Sequence, residues 1–89
     1  MRRNERKLLI LEALTNYSAP VSAGTLWAKH FKNGPYRTSW DAIRKRLEGY
    51  TVWNLVERTR SRVHPYEWYY KLSEKGKSRL AFLKRKHAI

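Results

Sequence analysis

The sequence predicts an α+β fold that is mostly helical, with a three-helix core, a two-stranded hairpin and a C-terminal helix. Two changes in the spacing of apolar residues predict this fold. Apolar residues recur at helical spacing as far as about residue 50, alternate with a period of two between residues 55 and 72, and then return to helical spacing. No linker or low-complexity tract interrupts the chain, so residues 1–89 are expected to form a single domain with basic N- and C-terminal ends.

The first helix is predicted over residues 4–17. Asn4 is a suitable N-cap, and leucines recur at every third position from Leu8, which gives the helix a wide apolar face. Pro20 ends the segment, because the residue before a proline is disfavoured in helical geometry. Val21 is then predicted to be a short extended link.

The second helix is predicted over about residues 23–31, with Ser22 as its N-cap. Its buried positions are expected to be Leu26, Trp27 and Phe31. An Asn-Gly-Pro sequence at the centre of residues 32–37 marks the turn that follows.

The third helix is predicted within residues 37–54, with 38–50 as its main part. Thr38, followed three residues later by Asp41, is expected to begin it as a capping box. The residues at helical spacing that should face the core are Trp40, Ile43, Leu47 and Tyr50. For Trp40, a partly exposed ring is the alternative.

Two strands are predicted over residues 55–60 and 66–72, joined by a loop at 61–65 whose length suits a hairpin. In the second strand, the residues expected on one face are Trp68, Tyr70 and Leu72. Ser73 is predicted to cap a last helix that runs to about Lys86.

The net charge is the clearest indication of a partner. The chain has 20 Lys and Arg against 7 Asp and Glu, a formal charge of +13, which causes self-repulsion in the compact state. This excess predicts nucleic acid as a partner, with an anionic membrane surface or a merely solubilising surface as alternatives. No apolar stretch is long enough to span a bilayer, and the absence of cysteine fits a cytoplasmic location.

Three stretches resemble the winged helix-turn-helix family of DNA-binding domains, as in MarR- and PadR-like regulators and small archaeal and viral winged-helix proteins. They are PVSAGTLWAKHF, SWDAIRKRLEGYTVWNLVER and YEWYYKLSEKGKSRL, which match the second helix, the recognition helix with its first wing strand, and the second wing strand with the following helix. The resemblance covers about residues 5–85. It implies a transcriptional regulator that binds double-stranded DNA, nucleoid-associated in a prokaryote or virus. Helix 38–50 would enter the major groove, and the 58–66 wing would lie on the adjacent minor groove or backbone.

The residues expected to contact DNA lie on the third helix and on the hairpin. On and before the helix they are Arg37, Thr38, Ser39, Lys45 and Arg46, with Lys45 or Arg46 best suited to pair with guanine. On the hairpin they are Arg58, Arg60 and Arg62, which are alternate residues of an extended strand and can therefore project to one side, with His64 near the tip. Auxiliary phosphate contacts are expected from Lys29, Lys32 and Arg44. The alternatives are a solvated basic helix face and charges that guard a sheet edge.

No enzymatic activity, cofactor or metal is expected. The acidic residues are scattered, and His30, His64 and His87 lack the spacing of metal ligands. Two other functions stay open, an RNA-binding or ribosome-associated winged helix and a protein-interaction winged helix. A homodimer through Phe82, with Ala81 or Ile89 beside it, is also open.

Overall fold

The computed structural model describes residues 3–60 and 67–87, which form four helices and a three-stranded antiparallel sheet. In chain order the elements are α1 (Arg3–Leu14), β1 (Val21–Ser22), α2 (Ala23–His30), α3 (Trp40–Val52), β2 (Val56–Arg60), β3 (Trp68–Leu72) and α4 (Glu74–His87). The predicted α+β class and the predicted order of elements are confirmed. The prediction missed one strand pairing, because the extended link at β1 pairs with β3 and adds a third strand to the sheet.

Strand β3 is central in the sheet, whose strand order is β1-β3-β2. Tyr70 of β3 lies opposite both Val21 of β1 and Arg58 of β2. Directly opposed residues project from the same face of a sheet, so these three side chains share one face with Val56. Val21, Val56 and Tyr70 are buried against the helices. Towards the end of β2, the same face continues with Arg58 and Arg60, which are exposed.

All four helices contribute side chains to the core that lies on this face of the sheet. The fully or almost fully buried ones are Ile10, Leu11 and Leu14 of α1, Leu26 of α2, Ile43, Leu47 and Tyr50 of α3, and Leu80 and Leu83 of α4. In α3 and α4 these residues are spaced by three or four positions, and in α1 the adjacent Ile10 and Leu11 lie four and three positions before Leu14, as expected for one apolar face. The core therefore fixes which sides of α3 are left for solvent.

The start of α3 differs from the prediction. Ser39, not Thr38, is the N-cap, because its Oγ accepts a hydrogen bond from the Ala42 backbone N–H at 3.1 Å. The backbone of Thr38 has other partners, since its carbonyl accepts from Trp27 Nε1 at 2.8 Å and its N–H donates to the Phe31 carbonyl at 2.9 Å. These bonds hold Thr38 in the preceding loop and leave the capping position to Ser39.

The prediction that Trp40 belongs mainly to the core is wrong. Its side chain is 44% exposed, whereas the other three predicted core positions of α3 are buried. Trp40 is the first residue of the helix, where the apolar face reaches its edge. Its ring lies beside Gly24, at which a Cβ atom would be 3.5 Å from Trp40 Nε1, and the Arg44 guanidinium carbon is 5.7 Å from its centroid.

The first helix is shorter than predicted and ends at Leu14. The next three residues form tighter turns, in which the N–H groups of residues 15, 16 and 17 donate to carbonyls three residues earlier. The predicted caps of the other two helices are confirmed. Ser22 Oγ accepts from the Thr25 N–H at 3.1 Å, and Ser73 Oγ accepts from the Gly76 N–H at 2.9 Å.

The start of α4 is held against the segment between α3 and β2. The Leu55 carbonyl accepts a hydrogen bond from the Ser73 N–H at 3.1 Å. A Cβ atom at Gly76 would lie only 1.9 Å from the Leu55 carbonyl oxygen, so this close approach requires glycine. As a result, the first turns of α4 lie beside the C-terminal end of α3.

Candidate functional site

The solvent side of α3 is divided into two flanks. A helical residue advances by about 100°, so Arg44 and Arg46 project roughly 200° apart on either side of the buried face. One flank faces the β2–β3 pair and includes Trp40, Arg44 and Glu48. The other faces the first turns of α1 and α4 and includes Arg46 and Trp53. We call these the sheet flank and the helix flank.

On the sheet flank, Arg44 is held between two carboxylates. Its Nη2 donates to Asp41 Oδ1 at 2.7 Å and its Nη1 donates to Glu48 Oε1 at 2.8 Å. The hydrogen bond from Arg44, with a further one from Lys45, lowers the pKa of the Asp41 carboxyl below its ordinary value. The hydrogen bond with Asp41 in turn raises the pKa of the Arg44 guanidinium, and the charge of Glu48 adds to this increase. The side chain predicted as an auxiliary phosphate contact is thus already engaged within α3.

Next to this flank, two arginines of β2 stack on one tryptophan of β3. The guanidinium carbons of Arg58 and Arg60 lie 4.2 and 4.8 Å from the centroid of the Trp68 ring. Arg60 is the direct cross-strand partner of Trp68, and Arg58 is two residues away on the same face, as their shared parity predicted. Cation–π contacts at exposed sites contribute about 0.5–1 kcal/mol each. Trp68 therefore orients two of the predicted cations before any ligand binds.

Tyr70 connects this stack to α3. Burial raises the pKa of its phenol, the nearby Glu48 charge raises it further, and the Arg58 guanidinium opposes the increase. Tyr70 is the direct cross-strand partner of Arg58. The exposed part of this side of the molecule therefore consists of two separate arginine–tryptophan contacts, Arg44 with Trp40 on α3 and Arg58 and Arg60 with Trp68 on the sheet.

The helix flank contains a cavity of about 700 Å³. Its lining residues come from α1, α3, α4 and the segment after α3, and they are Lys7, Lys45, Arg46, Gly49, Tyr50, Trp53, Leu55, Lys75 and Arg79. Five of them are cationic and none is acidic. We call this the basic cavity. Sequence reasoning missed it, since its cations are up to 72 residues apart and no local motif joins them.

Only some of the cavity's cations have a counter-charge. Lys45 is paired with a carboxylate, since its Nζ lies 3.1 Å from Asp41 Oδ2. Arg79 contacts an uncharged ring instead, with its guanidinium carbon 5.1 Å from the centroid of Phe82. Within residues 3–60 and 67–87, no carboxylate forms an ion pair with Arg46, Lys75 or Arg79. Since like charges brought together repel, the cavity has a positive potential that an anion would reduce.

The remaining predicted contacts lie near the start of α3 or beyond the described residues. Arg37 and Lys29 are exposed, the Ser39 oxygen is used by the cap, and Lys32 Nζ lies 5.7 Å from the centroid of Trp27. The loop before α3 is also tied to α1, because Arg6 Nη1 donates to the Tyr36 carbonyl at 2.9 Å. Two predicted contacts fall outside the described residues, Arg62 and His64.

Comparison with known proteins gives no relative on which to base an assignment. No family model matches this chain, and no curated protein matches it. In the described part of the chain, no group of three or more His, Cys, Asp or Glu residues could hold a metal ion. Nor is any described helix long and apolar enough to cross a membrane. The site is therefore interpreted from its own geometry and charge.

Proposed function

We propose that this protein binds double-stranded DNA as a transcriptional regulator and that α3 is the helix that enters the major groove. In this proposal the fold is a winged helix-turn-helix, and the β2–β3 pair is the wing. The element order and the sheet order agree with that arrangement. The three sequence stretches that resemble the family fall on α2, on α3 with β2, and on β3 with α4.

The observation that carries the proposal is the distribution of charge around α3. Cations flank this helix on both sides, with Arg58 and Arg60 beside the sheet flank and Lys75 and Arg79 beside the helix flank. The two acidic residues of α3 are balanced within the helix, because Asp41 pairs with Arg44 and Lys45 and Glu48 pairs with Arg44. A helix bordered in this way presents net positive charge to a groove whose two walls are phosphate backbones.

Within the groove, base contacts are assigned to Lys45 and Arg46. Both lie on the solvent side of α3, and an arginine or lysine pairs well with the O6 and N7 acceptors of guanine. Arg37, Thr38 and Ser39 lie at the start of the helix, where contacts to phosphate orient the protein. The Ser39 oxygen accepts a hydrogen bond from the Ala42 N–H, and its hydroxyl proton can at the same time be donated to a phosphate oxygen.

The wing supplies a second contact in this proposal. Arg58 and Arg60 are oriented by Trp68, and the predicted Arg62 and His64 follow them along the chain. Arginines that project together suit a narrow minor groove, where the negative potential is enhanced, or else the adjacent backbone. Their contribution should depend on salt more than on sequence.

A second candidate function is binding of structured or single-stranded RNA. The observation that favours it is the exposure of two tryptophans at the ends of α3, since Trp40 is 44% and Trp53 is 69% exposed. Unpaired bases stack on such rings, whereas paired bases in a duplex do not offer their faces.

Selection of duplexes from a random library, followed by competition, tests the proposal. We expect one enriched sequence, bound orders of magnitude more tightly than random DNA and not displaced by an equal amount of structured RNA. If about five phosphates are contacted, the slope of log K against log salt should be near −4 to −5, at roughly −0.9 per contact. Preferential binding of structured RNA, or a slope near zero, would contradict the proposal.

A further inference from the structure

The basic cavity has the size of a ligand site. Its volume of about 700 Å³ falls in the range of roughly 300–1,000 Å³ that is usual for small-molecule pockets. The uncharged part of the lining is provided by Gly49, Tyr50, Trp53 and Leu55. The described cations therefore surround a space that is large enough for a molecule rather than for a single ion.

The backbone around the cavity is fixed by several local constraints. The Leu55 N–H donates to the Tyr50 carbonyl at 2.8 Å, directly after Asn54, whose φ of 61° turns the chain away from α3. The close contact between Gly76 and the Leu55 carbonyl then fixes the first turns of α4 beside this turn. Lys75 and Arg79 therefore project from a helix whose backbone is fixed, and only their side chains have to be ordered on binding.

Charge alone would attract any anion, but the lining includes a side chain that anion binding does not require. Trp53 follows the last residue of α3, and 69% of its surface is exposed although it is one of the residues that line the cavity. An exposed indole next to cations is the arrangement in which a nucleobase stacks while its phosphates are neutralised. A simple inorganic anion would leave the position of Trp53 without a role.

We propose that the basic cavity binds a nucleoside polyphosphate, with its phosphates among Arg46, Lys75 and Arg79 and its base stacked on Trp53. Arg46 is also assigned to base recognition in the proposed DNA complex. A bound nucleotide therefore competes with DNA and reduces its affinity. The competition rests on the proposed function, whereas the binding of the nucleotide does not.

Isothermal titration of the whole protein with ATP, in the absence of DNA, tests the nucleotide site. We expect one ATP per chain and weaker binding of inorganic tripolyphosphate, which has no base. Trp53→Ala should weaken ATP binding about tenfold, the equivalent of one lost base-stacking contact, and leave tripolyphosphate binding unchanged. Trp53 is mostly exposed, so this substitution removes little of the core.

A matched pair of variants on α4 separates the cavity from general charge. Lys75 lines the cavity, whereas Lys77 on the same helix points to Glu74, with its Nζ 3.2 Å from Glu74 Oε1. Lys75→Gln and Lys77→Gln remove the same charge, and only Lys75→Gln should weaken ATP binding several-fold. Equal effects of the two changes, equal affinity for ATP and tripolyphosphate, or no heat of binding up to about 1 mM ATP would overturn the proposal.

Competition with DNA is measured separately by fluorescence anisotropy of a labelled duplex. Saturating ATP should lower duplex affinity for the wild type and have less effect on Trp53→Ala. If ATP binds but leaves duplex affinity unchanged, the regulatory part of the proposal is wrong. If the protein binds ATP but no duplex, the proposed function fails while the nucleotide site stands.

Discussion

Two glycine substitutions should change the stability of this domain in opposite directions. A Cβ atom at Gly76 would lie 1.9 Å from the Leu55 carbonyl oxygen and 3.2 Å from Leu72 Cδ2. At Gly49, in the interior of α3, no atom lies within 4 Å of the added Cβ atom. Both glycines are helical and both gain helix propensity when replaced by alanine, so the surrounding space decides the sign.

For Gly76→Ala, the carbonyl must move from 1.9 Å to at least 3.0 Å from the new atom. This shift disturbs the hydrogen bond from the Ser73 N–H to the Leu55 carbonyl, worth about 0.5–1.5 kcal/mol, and overpacking adds about 1–3 kcal/mol. After the gain in helix propensity of about 1 kcal/mol, the free energy of unfolding should fall by about 2 kcal/mol. In a domain of this size that lowers Tm by roughly 8–16 °C.

Gly49→Ala should instead raise the free energy of unfolding by about 0.5–1 kcal/mol, since only the propensity term applies. Thermal and urea denaturation followed by circular dichroism measures both variants against the wild type. If Gly76→Ala is as stable as the wild type, the close approach of α4 to Leu55 is wrong. If Gly49→Ala is less stable than the wild type, the conclusion that a Cβ atom at Gly49 would meet open space is wrong.

Three further predictions concern α3 and the sheet. Ser39→Ala should lower the free energy of unfolding by about 1 kcal/mol in urea denaturation, and Thr38→Ala by clearly less; the reverse order would contradict the assigned cap. In an NMR titration the pKa of Asp41 should lie below 3.8, and in Arg44→Gln it should rise towards 3.8. The ion pair of Asp41 therefore stabilises the folded state above pH 3.8, and this stabilisation is lost as pH falls through the folded-state pKa. The pKa of Tyr70 is raised, so its contribution to the stability of the folded state is present below pH 10.0 and is lost as pH rises through the folded-state pKa. An absorbance titration locates this pKa, and a value below 10.0 would contradict the burial of Tyr70.

Much of the fold could be predicted from the sequence, because one face of each helix repeats at a fixed spacing. Ile43, Leu47 and Tyr50 were assigned to the core on that basis and are buried. The same spacing misplaced Trp40, since a periodic pattern does not tell where the apolar face ends. At the first residue of a helix there is no preceding turn to cover the ring, and Gly24, which lies beside it, has no side chain to do so.

The exact start of α3 could not be predicted, because Thr38 and Ser39 are adjacent and both residue types are good N-caps. The hydrogen bond from Trp27 Nε1 to the Thr38 carbonyl decides between them, and it joins residues 11 positions apart. Likewise, β1 consists of two residues and has too little sequence to show a pattern of its own. Its pairing with β3 depends on the tertiary structure.

The candidate site was predicted only where its residues share one element. The prediction that Arg58 and Arg60 project from the same face of their strand is correct. Their stacking on Trp68, however, depends on the register between β2 and β3. The basic cavity depends on the packing of α1 and α4 beside α3, and its cations come from all three helices. Non-local packing of this kind leaves no signature in a single sequence.

The most direct test of the central claim, that α3 reads DNA, is the binding free energy of Arg46→Ala on the selected duplex and on its single-base variants. We expect a loss of about 1–3 kcal/mol on the selected duplex, together with relaxed preference at one base position. Arg60→Ala should weaken binding to all these duplexes more evenly, and Lys77→Ala serves as the control on α4. If Arg46→Ala and Arg60→Ala both leave every affinity unchanged, α3 and the β2–β3 pair do not contact DNA as proposed.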